Sequence, residues 1–431
     1  MNTRQKPTVD LVEWETREVP ALELSVEDRV LLRSLRSGNA RRLQIDELRQ
    51  SLRFTATSWV GVVQLTGFDV RVVPKLVGKD LRLLEMIEFT DGIEALSRFP
   101  GVQDLLSEKS SLFDLIAAMF VQEAERVLRA GLLADYVEED AELPVLRGRL
   151  LADRQVLERF GRVDRLFCRF DERKQDVIEN QLLAMALDAC ARYASHLHLR
   201  RKARELGYVF HEVCDPTGLD LDTARQSVLY DRLNEHYKPA HDLGWLVLGR
   251  LGVDNLFVNG NTRVFAFMLD MNLLFERFVA RLLEQVLIGT SCELQYQRPD
   301  RSVIVHADSN KPYARVIPDF LVRHKTARTT RFVLDAKYKL YDDLRVAAHD
   351  IYQSFVYAHA FTPHGDAAPR AALVYPSEGT VSSRRELHVR SAGPATKAKL
   401  YVIGLSVPAI LDEIKTRTIG QAVQPLVSLL V

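Results

Sequence analysis

Apolar and polar positions change period along the 431 residues, and each change marks a different kind of structure. In the first hundred residues the period is mostly two. Phe68-Asp-Val-Arg-Val-Val-Pro74 alternates as a half-buried strand does, and Phe54-Thr-Ala-Thr57 and Trp59-Val-Gly-Val-Val-Gln-Leu65 also read as strands. Pro74 ends its strand or puts it at an edge, having no amide hydrogen for a ladder. Ser25-Val-Glu-Asp28 has the spacing of a capping box and predicts a helix through Leu35, with another short helix before Phe54. These residues describe a small curved β module with a helical insertion.

From Ser111 the period becomes helical. Leu112, Leu115, Ile116, Met119 and Phe120 fall on one face, and the pattern runs on toward Leu133. A loop through Leu146-Arg-Gly-Arg149 leads to a second long helix, from about Glu179 to Leu199. Asp215-Pro-Thr-Gly218 is a turn, and Val258-Asn-Gly-Asn261 is another that marks a domain boundary. Beyond it Met271 to Ile288 is a strongly apolar helix. Strand-like runs follow at 315–322 and 332–338, then a helix over 344–361, strands near 370–376 and 399–406, and a helix over 409–417. The fold class is therefore mixed α+β in three segments: a β-rich N-terminal module (1–108), a mainly helical middle region (109–258) and a compact mixed α/β C-terminal domain (259–431).

Composition narrows the class without naming it. Hydrophobic content of 47% and charged content of 27% suit a soluble protein. No apolar run approaches the roughly 20 residues that span a bilayer. The polar start, Met1-Asn-Thr-Arg-Gln-Lys6, does not read as a secretory signal, so a cytoplasmic location is expected. Cys168, Cys190, Cys214 and Cys292 have no paired spacing and read as reduced core thiols. His211 with Cys214, His196 and His198 lacks a second cysteine pair, which argues against zinc. Net charge is zero, but residues 262–431 carry 22 Lys and Arg against 16 Asp and Glu. A basic C-terminal part suits contact with phosphates.

The densest chemistry lies in that part. Ile317-Pro-Asp319 is followed, after a polar connector, by Asp335-Ala-Lys337. An antiparallel hairpin brings Asp319 beside Asp335 and Lys337, and alternation puts Asp335 and Lys337 on one face. Two carboxylates with an ammonium suit a hard divalent cation, Mg²⁺ or Mn²⁺, and phosphodiester hydrolysis. Asp319 and Asp335 are the expected ligands, with the Ala336 backbone carbonyl in reach of the same ion. Lys337 would orient the nucleophile and offset charge. Lys339, two residues on, and the connector's Arg323, Lys325, Arg328 and Arg331 are candidate DNA contacts. A structural Asp–Lys pair and a solvated hairpin tip are the plainer readings of the same residues.

Glu276 falls on the apolar helix in a stripe with Asn272, Val279 and Leu283, either as a third carboxylate toward the metal or as a surface glutamate. Gln353 and Tyr357 share a face at i and i+4, where Gln353 would bind the nucleophile or a phosphate, or form a simple surface pair. There is no Gly-x-x-x-x-Gly-Lys-Ser/Thr loop, so nucleotide hydrolysis by this chain is not expected.

Asp319, Asp335 and Lys337 resemble the signature of the PD-(D/E)xK nuclease superfamily, and Gln353-Ser-Phe-Val-Tyr357 looks like the Gln-x-x-x-Tyr motif of some of its branches. Within it, most of the chain is similar to the McrC family, the nuclease subunit of McrBC-type modification-dependent restriction systems. The segments that carry this are Val60-Gly-Val62 with Pro74-Lys75, Leu146-Arg-Gly-Arg149, Cys168-Arg-Phe-Asp171 through Asn180, Met271-Asn-Leu-Leu-Phe-Glu-Arg-Phe278 and Val333-Leu-Asp-Ala-Lys-Tyr-Lys339. They span roughly residues 55 to 360, and the segment before Thr55 fits the family poorly. The resemblance implies a restriction-endonuclease-like C-terminal domain that cuts DNA carrying 5-methylcytosine-type modification. It also implies a partner, a McrB-like hexameric AAA+ GTPase that recognises the DNA, so that GTP enters only through that subunit. The family's N-terminal region docks into the ring. Two other classes stay open: a non-catalytic adaptor that activates an AAA+ NTPase, and an autonomous RecB-like nuclease.

Overall fold

The protein is described by a computed structural model over residues 6–36, 42–75, 80–92, 111–162, 164–250, 264–326, 330–339, 341–342, 345–361, 368–390, 396–416 and 420–430. It divides into two compact units, Met1–Leu96 with Met268–Val431, and Ser97–Phe267. The N-terminal β module and the C-terminal domain thus share one unit.

The N-terminal module holds β1 (Thr8–Val12), β2 (Thr16–Pro20), β3 (Leu43–Glu47), β4 (Ser51–Ala56), β5 (Trp59–Gln64) and β6 (Asp69–Val73). β2, β4 and β3 form an antiparallel sheet, while β1 runs parallel to β6, which pairs with β5. The expected capping box is present: the Asp28 amide donates to Ser25 Oγ (3.0 Å) and the Ser25 amide to Asp28 Oδ2 (2.8 Å), opening the Val26–Arg36 helix. The short helix expected before Phe54 is instead the β3–β4 hairpin. Leu43 and Ile45 are buried with Gln44 and Asp46 between them, a period of two that decides for a strand.

The second unit is helical with one sheet that the sequence reading missed. The Leu112–Ala130 helix is capped by Ser111 and stops at Gly131 (φ +106°), short of Leu133. β7 (Asp135–Leu143), β8 (Arg149–Leu150) and β9 (Leu166–Lys174) form an antiparallel sheet. β7 reads Asp-Tyr-Val-Glu-Glu-Asp-Ala-Glu-Leu and is largely exposed, so it carries little hydrophobic period. Leu146-Arg-Gly-Arg149 docks on β9: a Cβ on Gly148 (φ +68°) would lie 2.3 Å from the Arg169 carbonyl oxygen. The Arg147 guanidinium sits 4.0 Å from the Phe170 ring centroid. The single helix expected over 179–199 is two, Ile178–Tyr193 and Leu197–His211, parted at Ala194 where ψ is 140°.

Asn180 and His241 are buried polar groups of this unit that are paired. The Asn180 amide donates to the carbonyls of Leu133 and Gln175, and accepts from the Tyr237 hydroxyl at 2.7 Å. His241, fully buried, lies between the Glu179 carbonyl and the Tyr230 hydroxyl, each 3.0 Å away. A carbonyl only accepts, so Nε2 carries the hydrogen, and neutral Nδ1 accepts from Tyr230. Burial pushes the His241 pKa down to about 4. A depressed folded pKa means that stability is whole above the ordinary value of 6.5 and is lost as pH falls toward 4. The loss is about 3 kcal/mol, and His241→Gln should flatten the acid limb of the melting-temperature profile.

The rest of the first unit begins with residues 268–270 of β10 (Phe265–Asp270) and the Met271–Val286 helix. β11 (Cys292–Tyr296), β12 (Asp300–Val305), β13 (Pro312–Val316), β14 (Phe320–His324), β15 (Thr330–Ala336), β16 (Arg370–Pro376), β17 (Ser383–Arg390) and β18 (Thr396–Leu405) follow. Six of them make one mixed sheet, ordered β11-β14-β15-β16-β18-β17; β12 and β13 form a separate ribbon. β15, β16 and β18 are parallel, and the Ala348–Phe361 helix makes the crossover from β15 to β16. Helices Val407–Lys415 and Gln424–Leu430 close the chain. The sequence reading missed β11, β12 and β17; β17 is Ser-Arg-Arg-Glu-Leu-His-Val-Arg, an edge strand exposed almost throughout.

Residues 315–322 are not one strand. β13 ends at Val316 and β14 starts at Phe320, because Pro318 cannot donate to a ladder and breaks the run. The expected boundary turn at Val258–Asn261 lies outside the described residues. Among the described residues no helix is long and apolar enough to cross a membrane. All four cysteines are free and buried, and burial raises the Cys214 thiol to about 12.

Candidate active site

The β14–β15 hairpin sets the first two acids. Its register pairs Phe320 with Leu334, which places Asp319, in the junction before β14, across from Asp335 at the end of β15. The Ala336 amide donates to Asp319 Oδ2 at 2.8 Å, so the backbone itself orients the first carboxylate. Asp335 is 2% exposed, and β15 lies between β14 and β16 with hydrophobic neighbours Val333 and Leu334 fully buried. β15 ends at Ala336, so Lys337 lies just past the strand. Its amide donates to the Val374 carbonyl (2.8 Å), which returns the side chain to the acids, with Nζ 2.7 Å from Asp335 Oδ2.

The electrostatics follow from this crowding. Burial, then Asp335, then Glu276 push the Asp319 pKa up to about 8. Burial works against the Lys337 ammonium, yet Asp335, Asp319 and Asp350 hold its pKa above the ordinary value. Oδ1 of Asp335 has no hydrogen-bond donor among the described residues. A buried carboxylate oxygen left unpaired beside a second acid favours a bound cation. The oxygens present suit Mg²⁺, which is held by one or two carboxylates and keeps several waters. They do not make an all-protein cage: no group of three or more His, Cys, Asp or Glu able to hold a metal occurs among the described residues.

Glu276 comes from the Met271–Val286 helix and is close enough to Asp319 to raise its pKa. It is positioned by a residue that the sequence reading missed. Gln297 donates from Nε2 to Glu276 Oε1 (2.5 Å) and from its backbone amide to the Asp319 carbonyl (2.8 Å). Its φ of +45° is a left-handed conformation that non-glycine residues rarely adopt. Nothing in Gln-Tyr-Gln-Arg-Pro signalled this, because the bridge depends on a glutamate 21 residues earlier.

Gln353 and Tyr357 are brought to the same place, but in series. Gln353 Nε2 donates to the Tyr357 hydroxyl (2.9 Å), and that hydroxyl donates to the Ile317 carbonyl (3.1 Å). The pair thus holds the Ile317-Pro-Asp319 junction. Lys339 is not on a continued strand face; its ammonium lies 2.9 Å from Oδ2 of buried Asp350. Burial pushes the Asp350 carboxyl up, while Tyr341 and Lys339 hold it below its usual range. Of the basic connector, Arg323 reaches Gln295 Oε1 (3.4 Å) and Lys325 the Thr290 carbonyl (2.9 Å). Arg328 and the Arg331 side chain lie outside the described residues.

The segment before Thr55, whose role the sequence left open, reaches the same neighbourhood. Tyr338, next to Lys337, donates its hydroxyl to Glu13 Oε2 (2.9 Å), and its ring lies 5.6 Å from that of Trp14 and 5.9 Å from that of Phe275. Glu13 is buried and also accepts from the Lys75 amide at 2.7 Å.

A family model described as McrBC 5-methylcytosine restriction system component matches residues 54–376. The chain belongs to this family. The fold agrees with that of a chain in the refined half-complex from the tetradecameric assembly of Thermococcus gammatolerans McrB AAA+ hexamers with bound McrC. That likeness covers 95% of this chain and 99% of the other, at 18% identity and a TM-score of 0.63. A chain of the cryo-EM structure of the Thermococcus gammatolerans McrBC complex is matched over 65% of this chain and 88% of that one, at 18% identity and a TM-score of 0.49. No curated protein matches the chain. The McrBC family segments at 146–149 and 168–180 prove to be packing features of the second unit, whereas 271–278 and 333–339 carry Glu276 and Asp335.

Proposed function

We propose that this McrBC-family chain is the DNA-cleaving subunit of a modification-dependent restriction system, a Mg²⁺-dependent endodeoxyribonuclease of the PD-(D/E)xK type. The observation that carries the reading is the pair of half-buried Asp319 and buried Asp335, with Lys337 at 2.7 Å from Asp335. Asp319 and Asp335 would hold the cation, with the Ala336 carbonyl and, through water, Glu276. A cation there supplies Lewis acidity at the scissile phosphate and a template for the attacking water. Lys337 offsets negative charge as it builds on the phosphate oxygens. Gln297, Gln353 and Tyr357 hold the acids in place. Gln297→Ala should lower the cleavage rate by roughly 10- to 100-fold, as loss of a residue supporting a metal ligand does. Single-turnover kinetics on plasmid DNA would check this; an unchanged rate would remove Gln297 from the site.

The partner follows from the family and from the assembly of McrB hexamers with bound McrC. A McrB-like AAA+ GTPase would recognise the modified DNA and supply the GTP hydrolysis. Docking is assigned to the β-rich module within residues 1–108 together with the second unit. Tyr136, Val145, Leu146, Val156, Leu157 and Phe160 of the second unit are exposed apolar side chains of the kind that mark protein contacts. Plasmid cleavage by the chain with Mg²⁺, with and without partner and GTP, on methylated and unmethylated DNA tests the whole reading. Cutting only with partner, GTP and modified DNA is expected. Faster partner hydrolysis without cutting would make the chain an adaptor, and cutting alone would make it an autonomous nuclease.

A further inference from the structure

Along β14, the strand that follows Asp319, lies a groove of about 510 Å³ whose lining includes Arg298, Arg301 and Arg323. Its walls come from chain neighbours of the residues that hold the acids. Leu321 and Arg323 share one face of β14. Gln295, on its lining, is two residues from Gln297, which ties Glu276 to the Asp319 backbone. Phe361 is one turn beyond Tyr357 on the helix whose Tyr357 hydroxyl holds Ile317, and it packs on the core cluster containing Leu321 and Tyr357.

Three guanidiniums face one carboxylate in this lining, Asp300. Asp300 is occupied: its Oδ1 accepts from the Ser302 amide (2.7 Å) and hydroxyl (2.6 Å). Those bonds hold its pKa below the ordinary range, with Arg298 adding to the effect. The groove therefore presents net positive charge. Arg323 stands four residues beyond Asp319, about 13 Å at about 3.3 Å per residue.

We propose that this groove binds the phosphodiester backbone of the DNA strand running away from the carboxylate centre, with Arg298 and Arg301 as phosphate contacts beside Arg323. The inference rests on the nuclease reading above for its choice of ligand, and its test does not use cleavage. Planar guanidiniums suit bidentate phosphate recognition, and contacts of this kind position DNA without reading its sequence. The target choice can then reside elsewhere while the groove sets how the strand lies across the acids.

The experiment is binding of the full chain to a fluorescent DNA duplex without divalent cation, followed by anisotropy between about 50 and 200 mM salt. Arg298→Gln with Arg301→Gln should weaken binding at least tenfold and reduce the slope of log affinity against log salt by about 1.8, roughly 0.9 per lost contact. Replacing both by lysine should keep most of the slope. Asp300→Asn, which removes the one opposing charge and keeps an acceptor for Ser302, should strengthen binding, a gain that misfolding cannot produce. Unchanged affinity and slope in the double glutamine variant, at wild-type melting temperature, would overturn the groove. So would binding that Asp300→Asn fails to strengthen. A chain that binds as expected yet never cuts with partner, GTP and Mg²⁺ would overturn the nuclease reading and leave the groove standing.

Discussion

Asp335→Asn is expected to abolish DNA cleavage, lowering the rate by roughly 10³-fold or more, which is about 4 kcal/mol at 1.36 kcal/mol per tenfold. The chain should nevertheless fold as well as the wild type. Asparagine keeps the shape of Asp335, which is 2% exposed, and the Lys337 ammonium that loses its ion-pair partner still has Asp319 and Asp350 acting on it, so no isolated buried charge is left. Asparagine is the better test than alanine, which would also leave a void beside Val333 and Leu334. The informative comparison is the partner's GTP hydrolysis, which should stay at the wild-type level. Full cleavage by purified Asp335→Asn complex would sink the assignment of this hairpin as the catalytic centre.

Tyr338→Ala should cost roughly 3–5 kcal/mol of stability in the first unit, the usual range for truncating a buried aromatic. Tyr338 is 3% exposed, packs against Trp14 and Phe275, and donates to buried Glu13. Removing it opens a cavity and deprives a buried carboxylate of one donor. Tyr338→Phe keeps the packing and loses only that bond, so its cost should fall to about 1–3 kcal/mol. Thermal or urea melts of the two variants separate the terms. Equal and small losses would mean that the turn after β1 does not brace the acid-bearing hairpin. This contact ties Glu13 and Trp14 to the hairpin, although the family match begins only at residue 54.

Much of the site was legible because its signal is local. Asp319, Asp335 and Lys337 stand in two hydrophobic runs separated by a polar connector, and a hairpin pairs such runs whatever the rest of the chain does. Pro318 refined the outcome by splitting the first run, which put Asp319 in a junction rather than a strand. Lys337 kept its partner even though the strand stops one residue earlier, because its amide is tied to Val374 on the neighbouring strand. Glu276 could be placed on a helix face by spacing, but spacing could not say what that face meets. Gln353 was legible as one of a pair with Tyr357 and not as a donor to it, because that bond concerns side-chain direction toward Ile317.

By itself the sequence determined the mixed α+β class, the apolar helices, the acid-bearing hairpin and, through ordered motif segments, the family. Those features depend on period and on short spacing, which the local chain enforces. Only tertiary structure decided that the first strands belong with the C-terminal domain, that Glu13 meets Tyr338, that Gln297 bridges Glu276 and Asp319, and that Arg298 and Arg301 share a groove with Arg323. It also decided the exposed β7 and β17, whose polar sequences carry no hydrophobic period and become strands by pairing with a partner. Each of these joins residues distant in sequence or sets a side chain's direction. Neither is written in any window of the chain, because both follow from packing the segments together.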